Sequence, residues 1–567
     1  MPESVTSGPN PPAHHRPSLE RLAFAALTTL TLSPAVLQGL WRPLAQALSV
    51  QADSVDLALA SLGIGAAAVG VAALGVRALW PGLAAALLAI LSGLALGGDW
   101  PARGAVTLAL LGVAAFNGAL VPWLLARLPE ALDGLATRRK GAAALWALLA
   151  VGTVVGTARL SVFMGDASRP ELSMMPELPF LVQHSCLTAY VQGARFASDG
   201  VENLYETTRW PDLHDSPESR ATAAAYAPFK LDAYAYPPPF LLLPRLLLTP
   251  LGDFASQRAL WYAFNAVFAA ASFWSVARWI GGTTGLRALL LTPLLWMSQQ
   301  TFATFQVGNA HLAVIAATLL ALVAFETRRP ALGGALLAFT TLAKISPGLL
   351  ILVLLLQRRF REVAWTAAWG VAFTLAGAAA FGLDPYLQFV GYELPRLSSG
   401  EALTFLALPE SVEINWSPFG IPFRLASFGF DLGDEWALGR SFTKVYSLVL
   451  LGLTLVAARK GGGPAARAEL WMALLTLGAL RSPLAPGYVL VALLWLLALR
   501  AGAVRGLGGA LGLAALWIGI SFTPPLTGLA KLAQALGQQG LLFGVAFYYL
   551  LRKPSPAESD QGGPQPA

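Results

Sequence analysis

The chain has 567 residues, of which 56% are hydrophobic and only 12% are charged, about half the charged fraction of an ordinary soluble domain. This composition excludes a cytosolic enzyme, a secreted disulfide scaffold and a disordered chain, and it predicts an integral membrane protein. The net charge of +7 does not indicate a nucleic-acid partner, because the basic residues form short clusters between apolar runs. The single cysteine, Cys186, excludes an internal disulfide and predicts that no metal site contains a cysteine. The five histidines show no metal-ligand spacing, so no metal is expected.

The first part of the chain contains five apolar runs of membrane-spanning length. The proline-rich segment 1–20 precedes them and predicts a flexible cytoplasmic tail. The predicted spans follow at 22–40, 56–77, 79–97, 104–126 and 141–163. The basic triplet 138–140 marks a cytoplasmic loop, since Lys and Arg are enriched on that side of a membrane. The span at 141–163 is therefore expected to leave the cytoplasm.

Two long polar segments interrupt the apolar pattern further along the chain. The segments 164–233 and 383–440 carry 18 of the 31 acidic residues but only 8 of the 38 Lys and Arg. The short loops in the second half of the chain are basic instead. By the bias of Lys and Arg towards the cytoplasm, both long segments are predicted to be extracytoplasmic.

The apolar segments between these two loops are less regular. Three of them fit the predicted sides of their neighbours only if one is re-entrant or broken: 236–252, 259–279 and 283–297. Two further stretches, 331–343 and 347–357, predict a hairpin with Lys344 near its outer tip. Length alone gives roughly thirteen to sixteen membrane segments. The predicted fold class is therefore all-α, a polytopic membrane helix bundle with two long extracytoplasmic loops.

Several polar residues at the ends of the later spans are candidates for a site. Tyr236 precedes three prolines, Gln306 and Asn309 interrupt an apolar approach to a span, and Lys344 suits a phosphate. An aromatic belt, hydrogen bonds between helices and snorkelling of the lysine explain the same residues without any ligand. The pattern alone leaves both interpretations open.

The second long loop and the span after it add another group of candidates. Asn415, Ser417 and Arg424 fall within ten residues, and Arg481 lies at the predicted outer end of a later span. Arg481 opposes the usual charge bias, and arginine is suited to bidentate contact with phosphate. We therefore predict that Lys344, together with Arg424 or Arg481, binds a phosphate group.

Taken in order, these strings resemble the polyprenyl-phosphate-sugar-dependent membrane glycosyltransferases of family 87, which have the GT-C architecture. The resemblance covers roughly 141–500 and rests on motifs in a fixed order: Tyr236-Pro237-Pro238, Gly308-Asn309, Lys344 with Pro347, Asn415-x-Ser417, Arg424-Leu425 and Ser482-Pro483. It implies the following domains: a tail at 1–20, an N-terminal extension at 21–140, a GT-C-like core at 141–500, C-terminal membrane helices at 501–551 and a second tail at 552–567.

The resemblance implies a hexosyltransferase, of mannosyltransferase type, in the plasma or inner membrane. Its donor would be a polyprenyl-phosphate sugar, carrying mannose, another hexose or a pentose such as arabinose. Its acceptor would be a hydroxyl of a glycolipid, polysaccharide or protein on the extracytoplasmic or periplasmic face of the bilayer. No cofactor is expected, because the lipid-linked sugar is a substrate, and no nucleic acid is expected. Tyr236, Gln306, Asn309, Asn415 and Ser417 are the implied substrate-binding residues.

The sequence departs from the family pattern at two positions. The family has an aspartate shortly after its first conserved span, and that position falls near Cys186. The family also continues its later Ser-Pro motif to a histidine pair, where this chain has Gly487-Tyr488-Val489. Catalysis needs a base for the acceptor proton, so the candidates become His184 or Asp232, with Asp199 in reserve. A lipid or sugar transporter without transferase activity is the alternative, although no internal repeat is evident.

Overall fold

In a computed structural model, the described residues are 16–211, 216–459, 462–504, 506–522, 524 and 526–552. The tails predicted at 1–20 and 552–567 fall mostly outside these residues. Within them the chain is α-helical and forms no β-strand, which confirms the all-α class. The chain separates into two compact units, residues 1–166 and 167–567.

The first unit is a bundle of long helices around an apolar core. Its α-helices are α1 Leu19–Leu48, α2 Ser54–Ala73, α3 Leu79–Leu96, α4 Trp100–Leu125, α5 Leu135–Arg138 and α6 Lys140–Gly165. Asp53 and Asp99 cap α2 and α4 by accepting backbone N–H groups of the first turn. Within the core, the Ser33 hydroxyl and the Asn117 amide hydrogen-bond each other, with Nδ2 and Oγ 2.9 Å apart. The five spans predicted for this region are confirmed as long helices, and α6 belongs to this unit by its contacts.

The second unit combines a few long helices with many short ones. Its α-helices are α7 Pro179–Gln183, α8 Leu187–Ser198, α9 Pro217–Ala224, α10 Leu242–Leu247, α11 Phe254–Ile280, α12 Gly282–Leu290, α13 Thr292–Trp296, α14 Gln299–Val307, α15 His311–Glu326, α16 Pro330–Lys344, α17 Gly348–Leu356, α18 Phe360–Phe381, α19 Asp384–Gln388, α20 Leu394–Ser399, α21 Pro409–Ile414, α22 Ile421–Ser427, α23 Glu435–Ala457, α24 Pro464–Ala479, α25 Val491–Arg500, α26 Gly506–Ser521 and α27 Gly528–Leu551. Short 3₁₀ turns join several of them.

Fewer helices than predicted are long enough to span a membrane alone. Among the described residues, eight helices have the length and apolarity of a span: α1 to α4, α6, α11, α18 and α23. The helices α14 and α15 reach that standard only as a pair, which bends by 110°. The prediction of thirteen to sixteen segments is corrected accordingly, because several apolar runs fold as short helices separated by turns. Of the three segments predicted between 236 and 297, only α11 is a candidate span, so two of them are short or broken where the sequence required one.

Candidate functional site

A glycine turn and two hydrogen bonds to backbone carbonyls bring distant segments together beside α8. Trp261 Nε1 donates to the Gly308 carbonyl at 2.8 Å, and the Cys186 N–H donates to the Val307 carbonyl at 2.8 Å. Gly308 has φ +66°, which ends α14 in the left-handed region. A Cβ there would lie 3.2 Å from Leu187 Cβ, so glycine also permits the close approach of α8. The break thereby places Asn309 beside the start of α8.

The loop before α8 carries an imidazole between a carboxylate and a thiol. His184 Nδ1 lies 3.2 Å from Asp232 Oδ1, and His184 Nε2 lies 3.3 Å from Cys186 Sγ. The Thr188 hydroxyl accepts the Asp232 N–H at 3.0 Å, which fixes the carboxylate segment against α8. Burial on its own lowers the pKa of His184, but the charges of Asp232 and Cys186 outweigh it and hold that pKa well above its usual value. The imidazole therefore favours its protonated form between these two groups.

A lysine and three tyrosines continue from this group. Lys344 Nζ donates to the Tyr236 hydroxyl at 3.2 Å, and Tyr236 OH lies 3.3 Å from Tyr190 OH. The ammonium group also lies 4.7 Å from the centre of the Tyr236 ring and 5.6 Å from that of Tyr488. Within the described part of the chain, no carboxylate forms an ion pair with Lys344. The positive charge of Lys344 is therefore stabilised by two aromatic rings and a hydroxyl group.

Asn309 and His311 close the arrangement. Asn309 Nδ2 lies 3.2 Å from Cys186 Sγ, and Asn309 Oδ1 accepts the His311 N–H at 2.9 Å. The rings of His311 and Tyr488 have centroids 5.6 Å apart. We call this group of side chains the Lys344 cluster; its members are His184, Cys186, Tyr190, Asp232, Tyr236, Asn309, His311, Lys344 and Tyr488.

Of the predicted substrate-binding residues, the structure brings Tyr236 and Asn309 into the cluster. The side chain of Gln306 instead joins two backbone segments, because its Oε1 accepts the Met174 N–H at 2.6 Å and its Nε2 donates to the Leu181 carbonyl at 2.7 Å. Asn415 and Ser417 are buried and bonded to the backbone. Asn415 Nδ2 donates to the Pro483 carbonyl at 2.7 Å, which explains why the two motifs occur together. These three residues hold loops in place.

The three predicted phosphate-binding cations occupy different surroundings. Lys344 is in the cluster. Arg424 is fully buried, and its guanidinium donates to the Val412 carbonyl at 2.9 Å, to Gln539 Oε1 at 2.7 Å and to the Asn415 carbonyl. Arg481 is exposed, and its Nε lies 3.1 Å from Ser447 Oγ. No described contact joins either arginine to the cluster, so of the three cations only Lys344 is one of its members, and a phosphate contact by Arg424 or Arg481 stays a prediction.

The three predicted bases also separate. His184 and Asp232 are in contact, so these two alternative candidates form one pair of interacting side chains. Asp199 is exposed and forms the C-cap of α8, whereas Cys186 is the N-cap of the same helix. At 1.5 Å per residue the two ends are about 20 Å apart. Asp199 is therefore far from the cluster.

Four members of the cluster were not predicted as site residues from the sequence: Cys186, Tyr190, His311 and Tyr488. Two of them are the positions at which the chain departs from the family pattern. Cys186 stands near the expected aspartate, and Tyr488 stands where the histidine pair would begin. A departure at a position where the family has a catalytic residue was therefore the signal that could have identified Cys186 and Tyr488.

The absence of a cysteine-containing metal site stays a prediction, but the structure places Cys186 beside two other potential ligands. His184, Cys186 and Asp232 each offer one ligand atom, and these atoms all lie within 4.8 Å of one another. The spacing in sequence concealed this group, because Asp232 follows the other two residues by more than forty positions and reaches them only through the packing of its segment on α8.

Comparison with known proteins bears on a segment that supplies four of the nine residues of this cluster. No curated protein and no solved structure matches the chain. A family model does match, and the matched range includes Tyr236, Asn309 and Lys344. Residues 234–483 match the model of Glycosyltransferase family 87, which confirms the resemblance given by the motifs and implies a membrane glycosyltransferase.

Proposed function

We propose that the protein transfers a sugar from a polyprenyl-phosphate carrier to an acceptor hydroxyl at the extracytoplasmic face of the plasma or inner membrane. The observation that carries the proposal is the Lys344 cluster, in which a lysine without a described acidic partner lies in the same contact network as an imidazole–carboxylate pair. The family match to residues 234–483 supports sugar transfer as the reaction class.

The cluster supplies the groups that such a displacement requires. The acceptor oxygen attacks the anomeric carbon, its proton passes to the Asp232 carboxylate, which His184 positions, and the bond between the anomeric carbon and the phosphate oxygen breaks. The electron pair of that bond leaves with the polyprenyl phosphate, whose negative charge Lys344 stabilises. Tyr236 holds the lysine through its hydroxyl and ring. Asn309, through its bond to Cys186, fixes the position of the loop that carries His184.

A reconstituted assay tests the proposal. The purified protein is incubated with radiolabelled polyprenyl-phosphate-mannose and a lipid extract that contains acceptors, without any sugar nucleotide. The proposal expects a new glycosidic product. Movement of the labelled lipid across a vesicle membrane without a new glycosidic bond would instead support a transporter, and the absence of both would contradict the proposal for this donor.

Alanine variants of the pair test the assignment of the proton acceptor. We expect His184→Ala and Asp232→Ala each to lower kcat about 100-fold, the range of a general base, with smaller effects on KM. Full activity in both variants would remove the assignment. Asp199→Ala is the discriminating variant, because a loss of activity there would move the base to the exposed end of α8.

A further inference from the structure

The loop before α8 and the segment around Asp232 form a set of potential metal ligands inside the proposed active site. Two pairs of atoms are already in close contact, at 3.2 Å between His184 Nδ1 and Asp232 Oδ1 and at 3.3 Å between His184 Nε2 and Cys186 Sγ. All three ligand atoms fall within 4.8 Å. Tetrahedral coordination with zinc-like bond lengths places ligand atoms about 3.5 Å apart. The two close contacts use different nitrogens of His184, and a metal ion binds only one of them. A three-ligand site therefore requires Asp232 or Cys186 to turn to the side of the ring that carries the bound nitrogen.

The chemistry of the ligands selects the type of cation. A thiolate and an imidazole are soft or borderline ligands, which Zn²⁺ and Co²⁺ accept and Mg²⁺ and Ca²⁺ do not prefer. Three protein ligands with a fourth position left for water are typical of open zinc sites, whereas structural zinc sites use four. The composition of this group therefore favours Zn²⁺ over the hard cations.

Neighbouring groups fit a bound cation. Asn309 Nδ2 lies 3.2 Å from the sulfur, and an amide donor at that distance stabilises a thiolate ligand. Ser185, which lies between His184 and Cys186 in the chain, has a fully buried hydroxyl without a hydrogen-bond partner among the described residues. A buried hydroxyl without a partner is costly, and a metal-bound water beside these ligands would provide one.

We propose that His184, Cys186 and Asp232 bind one Zn²⁺ ion, or another thiolate-accepting divalent cation, with a fourth position open to water. One consequence of this metal site also depends on the proposed function. The metal uses the carboxylate oxygen of Asp232 that takes the acceptor proton, so the metal-bound protein cannot transfer the sugar. Zn²⁺ is then an inhibitor of the transferase.

Cobalt binding gives a direct test, because the chain has only one cysteine. Full-length protein, purified in detergent and stripped with a chelator, is titrated with Co²⁺, and the near-ultraviolet absorption of a cobalt–thiolate bond is recorded. Any such band comes from Cys186. We expect one equivalent of Co²⁺, displaced by Zn²⁺ but not by Mg²⁺ in tenfold excess.

Variants assign the ligands. Cys186→Ser is expected to abolish the band and weaken Zn²⁺ binding at least 100-fold, and Asp232→Asn to weaken it about tenfold or more, in the range seen when a metal site loses a supporting group. Asp199→Asn, at the far end of α8, is the matched control and keeps both the band and the affinity. A missing band in the unchanged protein, equal Zn²⁺ affinity in Cys186→Ser, or displacement of Co²⁺ by Mg²⁺ would each overturn the metal site.

The transferase assay separates this inference from the proposed function. Transfer by the metal-free protein that Zn²⁺ stops and a chelator restores supports both. Transfer that continues with Zn²⁺ bound contradicts the mutual exclusion. A metal-free protein that binds Co²⁺ through Cys186 but transfers no sugar counts against the proposed function and leaves the metal site supported by the spectrum.

Discussion

Replacing Lys344 by glutamine tests the central electrostatic interaction of the proposed site. The ammonium group is held by the Tyr236 hydroxyl and lies near two aromatic rings, and no described carboxylate pairs with it. A phosphate charge about 4 Å from this ammonium group gains about 4 kcal/mol at the effective dielectric constant of a partly buried site. Competing water and salt reduce this, so about 2.7 kcal/mol is expected to be lost. That corresponds to an approximately 100-fold decrease in kcat/KM.

The assay is steady-state transfer from the polyprenyl-phosphate sugar, with donor and acceptor concentrations varied separately. Because a leaving phosphate gains charge as the glycosidic bond breaks, the loss is expected mainly in kcat, with a smaller rise in the KM for the donor. Lys344→Arg keeps the charge and is expected to recover part of the activity. The KM for the acceptor should change little.

Lys444→Gln is the matched control, because Lys444 is an exposed lysine on α23 and undergoes the same chemical change. Its kcat/KM is expected to stay within twofold of the unchanged protein. If Lys344→Gln also stays within twofold while donor saturation is still observed, the phosphate contact is elsewhere. The lysine would then be only a side chain that packs on tyrosines.

Three further predictions concern stability and the break before α15. Arg424→Met leaves three buried acceptors without their donor, so the free energy of unfolding should fall by about 3 kcal/mol or more. The loss is measured as a decrease of thermal stability in detergent. The KM of the protein that remains folded should be unchanged. Burial, opposed by Arg396, raises the pKa of Glu393 to about 7 from its ordinary 4.5. The folded state therefore binds more protons than the unfolded state between these pH values, and the free energy of unfolding should fall by about 3 kcal/mol as pH rises from 4.5 to 7. Glu393→Gln should remove this dependence of stability on pH. Gly308→Ala, at φ +66° and facing Leu187, should lower the free energy of unfolding by about 1 kcal/mol or more and lower kcat. The control Gly370→Ala, in open space on α18, should be neutral or slightly stabilising. Equal effects of the two substitutions would contradict the strain argument.

The sequence was sufficient to predict elements that depend on local composition. The helices α1 to α4 and α6 follow the predicted spans within eight residues at each end, because each consists of a long apolar run. The two apolar stretches around Lys344 form the helices α16 and α17 for the same reason. They do not form the predicted packed hairpin, because α16 packs on α15 and α18, whereas α17 packs on α18, α23 and α24. The short helices after α11 were counted as spans because hydropathy measures apolarity and not continuity. A turn such as that at Gly308 changes the path of the chain without changing its composition.

The composition of the site could not be predicted as well, because it depends on packing between distant segments. Lys344, Arg424 and Arg481 were equivalent as cations on the predicted outer side. What separates them is which acceptors lie within reach: buried carbonyl and amide oxygens for Arg424, an exposed serine for Arg481, and tyrosines for Lys344. A single sequence contains no information on those distances. The same holds for Asp232, which reaches His184 only through α8.

The two departures from the family pattern acquire a common explanation in the structure. The family resemblance implies an aspartate near position 186 and a histidine pair after Ser482-Pro483, and the chain has Cys186 and Tyr488 instead. Both side chains lie in the Lys344 cluster, together with one carboxylate from Asp232 and two imidazoles from His184 and His311. The types of group that the family uses are therefore present, although other positions supply them. Because a proton transfer depends on where an acceptor atom lies and not on which position contributes it, the departures are compatible with retained transfer activity. Restoring only one of the family positions, as in Cys186→Asp, would place two carboxylates against one imidazole, and we expect it to raise the charge conflict at the site and lower transfer.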